Sequence, residues 1–267
     1  MKECDKMTYP VVAISIVTYN SEHVFEVLDN LKKELGSFNE YRICIFDNDS
    51  NDDYKERLNT YKDFADITFY PENKGFGFGH NYNLLKCNSK YFLILNPDII
   101  VTRENFLNML DVMEKDDTIS LLVPKILNSD GTVQHLMRHR LTVFDYALRF
   151  IPFRFIKKLF DKRLASYECR NIPNDRLVDI RMGSGCFMLI RGNDYQEIDG
   201  FDERFFMYFE DNDLCLKLER NNKRTVYTPF SEVVHFYERG SHKNWKLFKI
   251  FITSMIKFFN KWGWQFF

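Results

Sequence analysis

No stretch of the 267-residue chain approaches the ~18 uninterrupted apolar residues that a spanning helix needs, and the first ten residues, MKECDKMTYP, hold no apolar signal core. A cytoplasmic protein is expected. An excess of one charge is also missing: 37 basic residues face 38 acidic ones, a formal −1, which argues for neither a nucleic-acid coat nor an acidic tail. The six cysteines, at positions 4, 44, 87, 169, 186 and 215, form no C-x-x-C pair and no dense array. Cys44 and Cys186 sit in strand-like apolar runs, so the set reads as reduced, buried thiols. Internal repeats and Pro-rich or Gly/Ser-rich tracts are absent, which leaves no obvious interdomain linker.

What is present is ample core material, 45% apolar and 16% aromatic residues in a chain short enough for one large domain. Residues 11–18 (VVAISIVT) form a β-branched apolar run followed by Tyr19-Asn20-Ser21, and a helical stretch covers residues 22–35. The pattern recurs at residues 41–46 (YRICIF), ending in Asp47-Asn48-Asp49-Ser50, and at residues 91–95 (YFLIL), ending in Asn96-Pro97-Asp98. Strands alternating with helices predict an α/β fold with a largely parallel, twisted sheet. Ligands bind beyond the carboxyl ends of such strands, so the three polar clusters are expected to converge on one site. Sheet-like texture returns at residues 178–190, followed by a helix over about 210–221 and a strand around 224–227.

Several constellations could carry chemistry. In LILNPD, Pro97 removes a backbone donor and holds the Asp98 carboxylate at the strand end, where it suits a hard divalent ion; an Asp in a plain turn is the alternative. In GFDERFFMYFEDND, three acids follow an aromatic run and open a helix. The helix dipole would keep Glu210 or Asp211 ionised as a proton acceptor, unless the acids only cap the helix. Residues 73–81 (NKGFGFGHN) space their glycines G-x-G-x-G and follow the second strand-helix unit, a poor dinucleotide fingerprint. A helix starting near Gly79 would still offer free amides to an anion, with a flexible turn as the alternative. The D-N-D-S-N opening of residues 47–58 fails as a calcium loop, because Asp52 stands where Gly is required and Leu58 where Glu is required. His235, between Val234 and Phe236, reads alone as a core histidine.

In this order, VVAISIVTYN, IFDNDS, ENKGFGFGHN, LILNPD, GSGCFMLI, GFDERFFMYFEDNDLC and VVHFYERGS resemble the inverting glycosyltransferases of family two, most closely their rhamnosyltransferase-like branch, over residues 11–241. The resemblance implies a GT-A fold, one mixed and mostly parallel sheet flanked by helices. It implies that Thr18, Tyr19, Asn20, Asp47 and Asn48 surround the donor's base and ribose, with Gly75, Phe76 and Asn81 close by. Asp98 then takes the last place of the family's D-x-D and binds Mg2+ or Mn2+ on the donor diphosphate, with His235 as second protein ligand. Asn96 stands at the first place, so the ion has one fewer anionic ligand and is held weakly until the donor arrives. Asp211 becomes the catalytic base, and Glu210, its rival, is expected to face away by about 100° on the same helix turn. The glycines of Gly183-Ser184-Gly185 are expected to leave room for an acceptor sugar. The implied donor is a nucleotide-diphosphate sugar, dTDP-rhamnose before UDP- or GDP-linked ones, and the implied acceptor a polyprenyl-diphosphate-linked glycan.

Two segments are aromatic and basic. Residues 138–163, read as an insertion in a catalytic domain of residues 1–241, carry eight Lys/Arg and two Asp. Within the C-terminal segment, 242–267, residues 243–267 carry five Lys, three Trp and no acid. That is the composition of an interfacial helix on anionic lipid, and the expected place is the inner face of the plasma membrane. Packing of the segments on each other, or a homodimer interface, is the alternative. Among rival functions, a nucleotidyltransferase would need a Gly-rich loop where TYNSEH follows the first strand. A non-catalytic sugar-binding subunit would have no use for Asp98, Asp211 and His235 together.

Overall fold

A computed structural model describes residues 11–36, 40–236 and 245–267. Cys4, the start of the chain and the tail of the VVHFYERGS motif lie outside the described residues. Nine strands form one sheet in the order β3(Asp66–Tyr70), β2(Tyr41–Asn48), β1(Val12–Thr18), β4(Tyr91–Leu95), β8(Phe187–Arg191), β6(Ile119–Leu127), β9(Arg224–His235), β5(Ile99–Ile100), with β7(Val178–Asp179) also on β9. Pairing is parallel through β3, β2, β1 and β4 and between β6 and β9, and antiparallel where β8, β5 and β7 join. The expected mixed, mostly parallel sheet is therefore what forms.

Side chains alternate across the strands, and helices cover both faces. Tyr91, Leu93 and Leu95 enter one core with α1(His23–Leu35), α2(Asp52–Asn59) and α4(Arg103–Lys115). Phe92 and Ile94 enter the other. Helix α1 earns its place by spacing: Val24, Val27, Leu28, Leu31 and Leu35 are buried on one stripe. On the second face lie α3(Phe76–Leu84), α8(Gly192–Glu197), α9(Glu210–Arg220) and α10(Trp245–Trp262).

Three elements differ from expectation. Helix α3 begins at Phe76, three residues before Gly79, because Gly75, at φ 90°, turns the chain there. A Cβ on Gly77 would lie 2.8 Å from Phe201 and one on Gly79 2.7 Å from Val17, so these glycines let α3 pack closely on Phe201 and on the sheet. Strand β9 runs on to His235, because a register shift at Pro124/Lys125 of β6 absorbs Pro229 and pairing resumes. The basic insertion folds into α5(Val143–Phe150), α6(Arg154–Leu159) and α7(Asp161–Tyr167), and it packs on the C-terminal segment. Val143 and Phe144 donate backbone N–H groups to Gln265 and Phe266, and Arg163 lies over the Phe267 ring.

Candidate active site

The ends of β1 and β2 form a polar cluster. The Asn20 side-chain oxygen accepts from the backbone N–H and the amide of Asn51, and the Asn20 N–H donates to Ser50. Asn48 donates to the carbonyl of Gly75 and accepts from the N–H of Lys74. Thr18 is hydrogen-bonded to Tyr54, while Tyr19 is exposed. Asp47 is buried; one oxygen accepts from the Ser50 N–H, the other has no partner, and burial raises its pKa above the usual carboxylate range. Asn81, expected beside the donor, is spent on the fold. It donates to the Phe201 carbonyl and to Glu203, accepts from Tyr195 and the Phe201 N–H, and does not line the cleft.

The cleft itself, about 420 Å³, opens beyond β4, with Phe76 as the wall toward that cluster. Asn96, Asp98, Arg138, Glu210, Asp211 and His235 line it. Sheet register brings Asp98 and His235 together: His235 at the end of β9 is opposite Ile99 of β5, and Phe236 N–H donates to the Asp98 carbonyl. The His235 Nε2 lies 3.3 Å from an Asp98 carboxylate oxygen, and the other Asp98 oxygen is buried without a partner.

Gln134 completes this arrangement and went unforeseen. Its amide nitrogen donates to the His235 carbonyl, so its oxygen faces the ring and accepts from His235 Nδ1 at 2.9 Å. With Nδ1 so engaged, Nε2 is the ring nitrogen turned toward Asp98. The spacing suits an ion pair with a protonated ring and equally suits two ligands of one ion, since ligands about 2.1 Å from an octahedral ion at right angles lie about 3 Å apart. The pair therefore fits a divalent ion, although no group of three or more His, Cys, Asp or Glu side chains gathers among the described residues. The readable signal was the turn Asn128-Ser129-Asp130-Gly131-Thr132, which folds the chain back so that Gln134 N–H donates to the Ile126 carbonyl.

Opposite stands a carboxyl pair on α9. Tyr208 and Phe209 precede it at φ 71° and 72°, two consecutive left-handed side-chain residues that cost about 1–2 kcal/mol each. Phe209 is locked by rings of Tyr146, Phe251 and Phe258 within 5.0–5.3 Å, and Ser254 donates to the carbonyl of Met207. No side-chain cap closes the helix, so the acids are not mere caps. Asp211 accepts from the Gly185 N–H at 3.1 Å and from the backbone and amide of Asn212 at 2.7 and 2.6 Å. Glu210 does not face away as expected: it lines the same cleft, one oxygen buried without a partner. Burial and the neighbouring Asp211 charge push its pKa up to about 8. Nor does Gly185 leave room for a sugar. A Cβ there would meet the Asp211 Cβ at 3.2 Å and the Phe76 ring at 3.4 Å, so its bareness admits Asp211. Gly183 is likewise taken by packing, since its Cβ would lie 2.8 Å from Val123.

A parallel sheet with antiparallel joins, whose strand ends carry a polar cluster on one side and an acid-lined cleft on the other, defines the GT-A class of nucleotide-sugar transferases. Solved structures share that fold: GalNAc-T7 with UDP, GalNAc and Mn2+ (TM-score 0.62, 14% identity, 88% of this chain and 44% of that one) and the mannosyltransferase PcManGT from Pyrobaculum calidifontis in complex with GDP-Man and Mn2+ (TM-score 0.60, 16% identity, 88% and 59%). The chain thus spans about half the length of those solved chains. It belongs to glycosyl transferase family 2, whose match covers residues 13–198 and ends before Asp211 and His235. Among curated relatives, rhamnosyltransferase WbbL of Escherichia coli (strain K12) is 28% identical over 240 residues, 85% of this chain and 83% of that protein. The N-acetylglucosaminyl-diphospho-decaprenol L-rhamnosyltransferase of Mycobacterium tuberculosis (strain CDC 1551 / Oshkosh) is 28% identical over 146 residues, 54% of this chain and 46% of that protein.

Proposed function

We propose that this glycosyltransferase is inverting and metal-dependent and transfers L-rhamnose from dTDP-rhamnose to a polyprenyl-diphosphate-linked oligosaccharide during bacterial surface-polysaccharide synthesis. The observation that carries the reading is the single cleft in which the Asp98–His235 pair and the Asp211–Glu210 pair both stand. The names of the two rhamnosyltransferase relatives support the sugar, and the mycobacterial name supports a lipid-diphosphate acceptor.

In this reading the base of the donor lies against the β1–β2 cluster, where the partnerless oxygen of Asp47 accepts a ring N–H. Asp98 and His235 would hold Mg2+ or Mn2+, which supplies positive charge against that developing on the departing diphosphate. Asp211 and Glu210 share one proton near neutral pH. Burial raises the pKa of both carboxyls, but three N–H donors oppose it at Asp211 while one Glu210 oxygen has no partner, so the proton rests on Glu210. Asp211 is then the base: the acceptor hydroxyl oxygen attacks the anomeric carbon, its proton passes to Asp211, and the bond from that carbon to the diphosphate breaks. One displacement inverts the centre.

The apolar surface formed by Phe153, Phe155, Phe150, Phe248 and Trp245, with Trp245 stacked on Phe248 and Phe248 against Phe150, supports a peripheral seat on the inner leaflet. No helix among the described residues is long and apolar enough to cross a membrane. The test is release of nucleotide diphosphate from a panel of dTDP-, UDP- and GDP-sugars with Mn2+, Mg2+ or chelator. Turnover of dTDP-rhamnose only with metal is expected; turnover that survives chelation contradicts the metal assignment, and turnover of another donor alone contradicts the sugar.

A further inference from the structure

A second, larger cavity of about 1310 Å³ lies between the turn at residues 128–135 and the helices α5, α6 and α7. Ordinary small-molecule sites hold roughly 300–1,000 Å³, so an extended ligand is called for. Seven Lys and Arg side chains line it against two acids, Asp161 and Glu168. Those acids pair with Arg170, and Arg163 is paired with the buried Asp145. Lys158 and Lys162 form no ion pair among the described residues, Lys157 donates to the carbonyl of Arg149, and the Arg138 guanidinium donates to the carbonyls of His135 and Met137. Cations that outnumber the acids in a concave wall raise the local positive potential, and an anion of high charge relieves it. The cavity shares Leu136, Arg138, Arg149 and Phe150 with the catalytic cleft, and Leu159 on its rim is 79% exposed beside the Phe153–Phe155 surface.

We propose that this basic cavity holds the diphosphate of the polyprenyl-diphosphate-linked acceptor, with the prenyl chain leaving over the aromatic surface and the sugar entering the cleft past Arg138 and Arg149. The assignment rests on the acceptor class given above. It explains why the insertion is both basic and aromatic: one ligand presents both chemistries. The donor diphosphate has its own place at Asp98 and His235, across the shared wall.

The test is a binding titration of the full chain with farnesyl diphosphate, inorganic diphosphate and farnesol, on wild type, Lys158→Ala/Lys162→Ala and Lys158→Glu/Lys162→Glu. Both lysines are exposed, so the folded state tolerates the changes. Wild type is expected to bind farnesyl diphosphate tighter than inorganic diphosphate and to show no saturable site for farnesol. The reversal variant is expected to lose about tenfold or more in farnesyl diphosphate affinity while its thymidine diphosphate affinity holds. Equal farnesyl diphosphate affinity in wild type and variants overturns the proposal. So does complete displacement by thymidine diphosphate, which would put the ligand in the donor cleft. A loss confined to phosphatidylglycerol vesicles would make the lysines a membrane contact and overturn it as well. The two readings fail separately. If no donor turns over but farnesyl diphosphate binds as described, the prenyl-diphosphate site stands and the donor and transfer reading falls; if a prenyl-diphosphate-linked sugar is glycosylated with unchanged KM by the reversal variant, the cavity assignment falls alone.

Discussion

At the residue scale, Asp211 and Glu210 show how two adjacent carboxyl groups acquire different roles. Asp211→Asn keeps the shape and the contacts to Asn212 but removes the proton acceptor, so transfer is expected to drop roughly a hundredfold or more with nucleotide affinity retained, as measured by initial rates and titration. Glu210 ionises near 4.5 when unfolded and near 8 when folded, so folding is progressively penalised as pH rises from 4.5 to 8. Glu210→Gln is therefore expected to be more stable than wild type at pH 7 and equal to it below pH 4.5, by urea unfolding at both. Activity carries the same signature: transfer by wild type falls above pH 8, where Glu210 ionises beside Asp211, and the Gln variant lacks that limb.

Elements position these groups, and here the sequence was legible unevenly. Strand β4 was readable in full because its apolar run ends in Asn-Pro-Asp, and α9 because aromatic residues give way to acids. The meeting of Asp98 with His235 depends on a register set by β5 and β9, which no local pattern announces. Asn81 misled because a buried amide bonded on all sides reads in sequence like one facing a ligand. Gln134 holds both ends of His235, so Gln134→Leu is expected to weaken Mn2+ binding about 10–100-fold, measured by metal titration. Helix α10 fastens the base helix: Lys261 and Trp262 bond the fully buried Asp213, and Lys261 also reaches Asp202, whose pKa is held well below the usual range first by Arg204. Lys261→Met leaves Asp213 short of its cation, and a loss of about 3 kcal/mol is expected in thermal unfolding.

On the scale of the whole molecule, three regions adjoin: the polar cluster at β1 and β2, the cleft with its two acid pairs, and the basic cavity under the insertion, which shares Arg138 and Arg149 with the cleft. The aromatic-basic segments, for which packing on each other was the alternative to a membrane contact, do pack on each other and roof the cleft, and still leave Phe155 and Trp245 exposed at 72% and 69%. Among the described cysteines, Cys44, Cys186 and Cys215 are buried as expected, with burial pushing their thiols up to about 12, whereas Cys87 and Cys169 are only half-buried. The most direct test of the central claim is rhamnosyl transfer from dTDP-rhamnose to a short prenyl-diphosphate-linked sugar, by wild type and Asp211→Asn, with the anomeric configuration of the product read by NMR. The account predicts an inverted product from wild type with metal and essentially none from Asp211→Asn, although that variant still binds dTDP. A retained configuration, or an Asp211→Asn variant as fast as wild type, would contradict it.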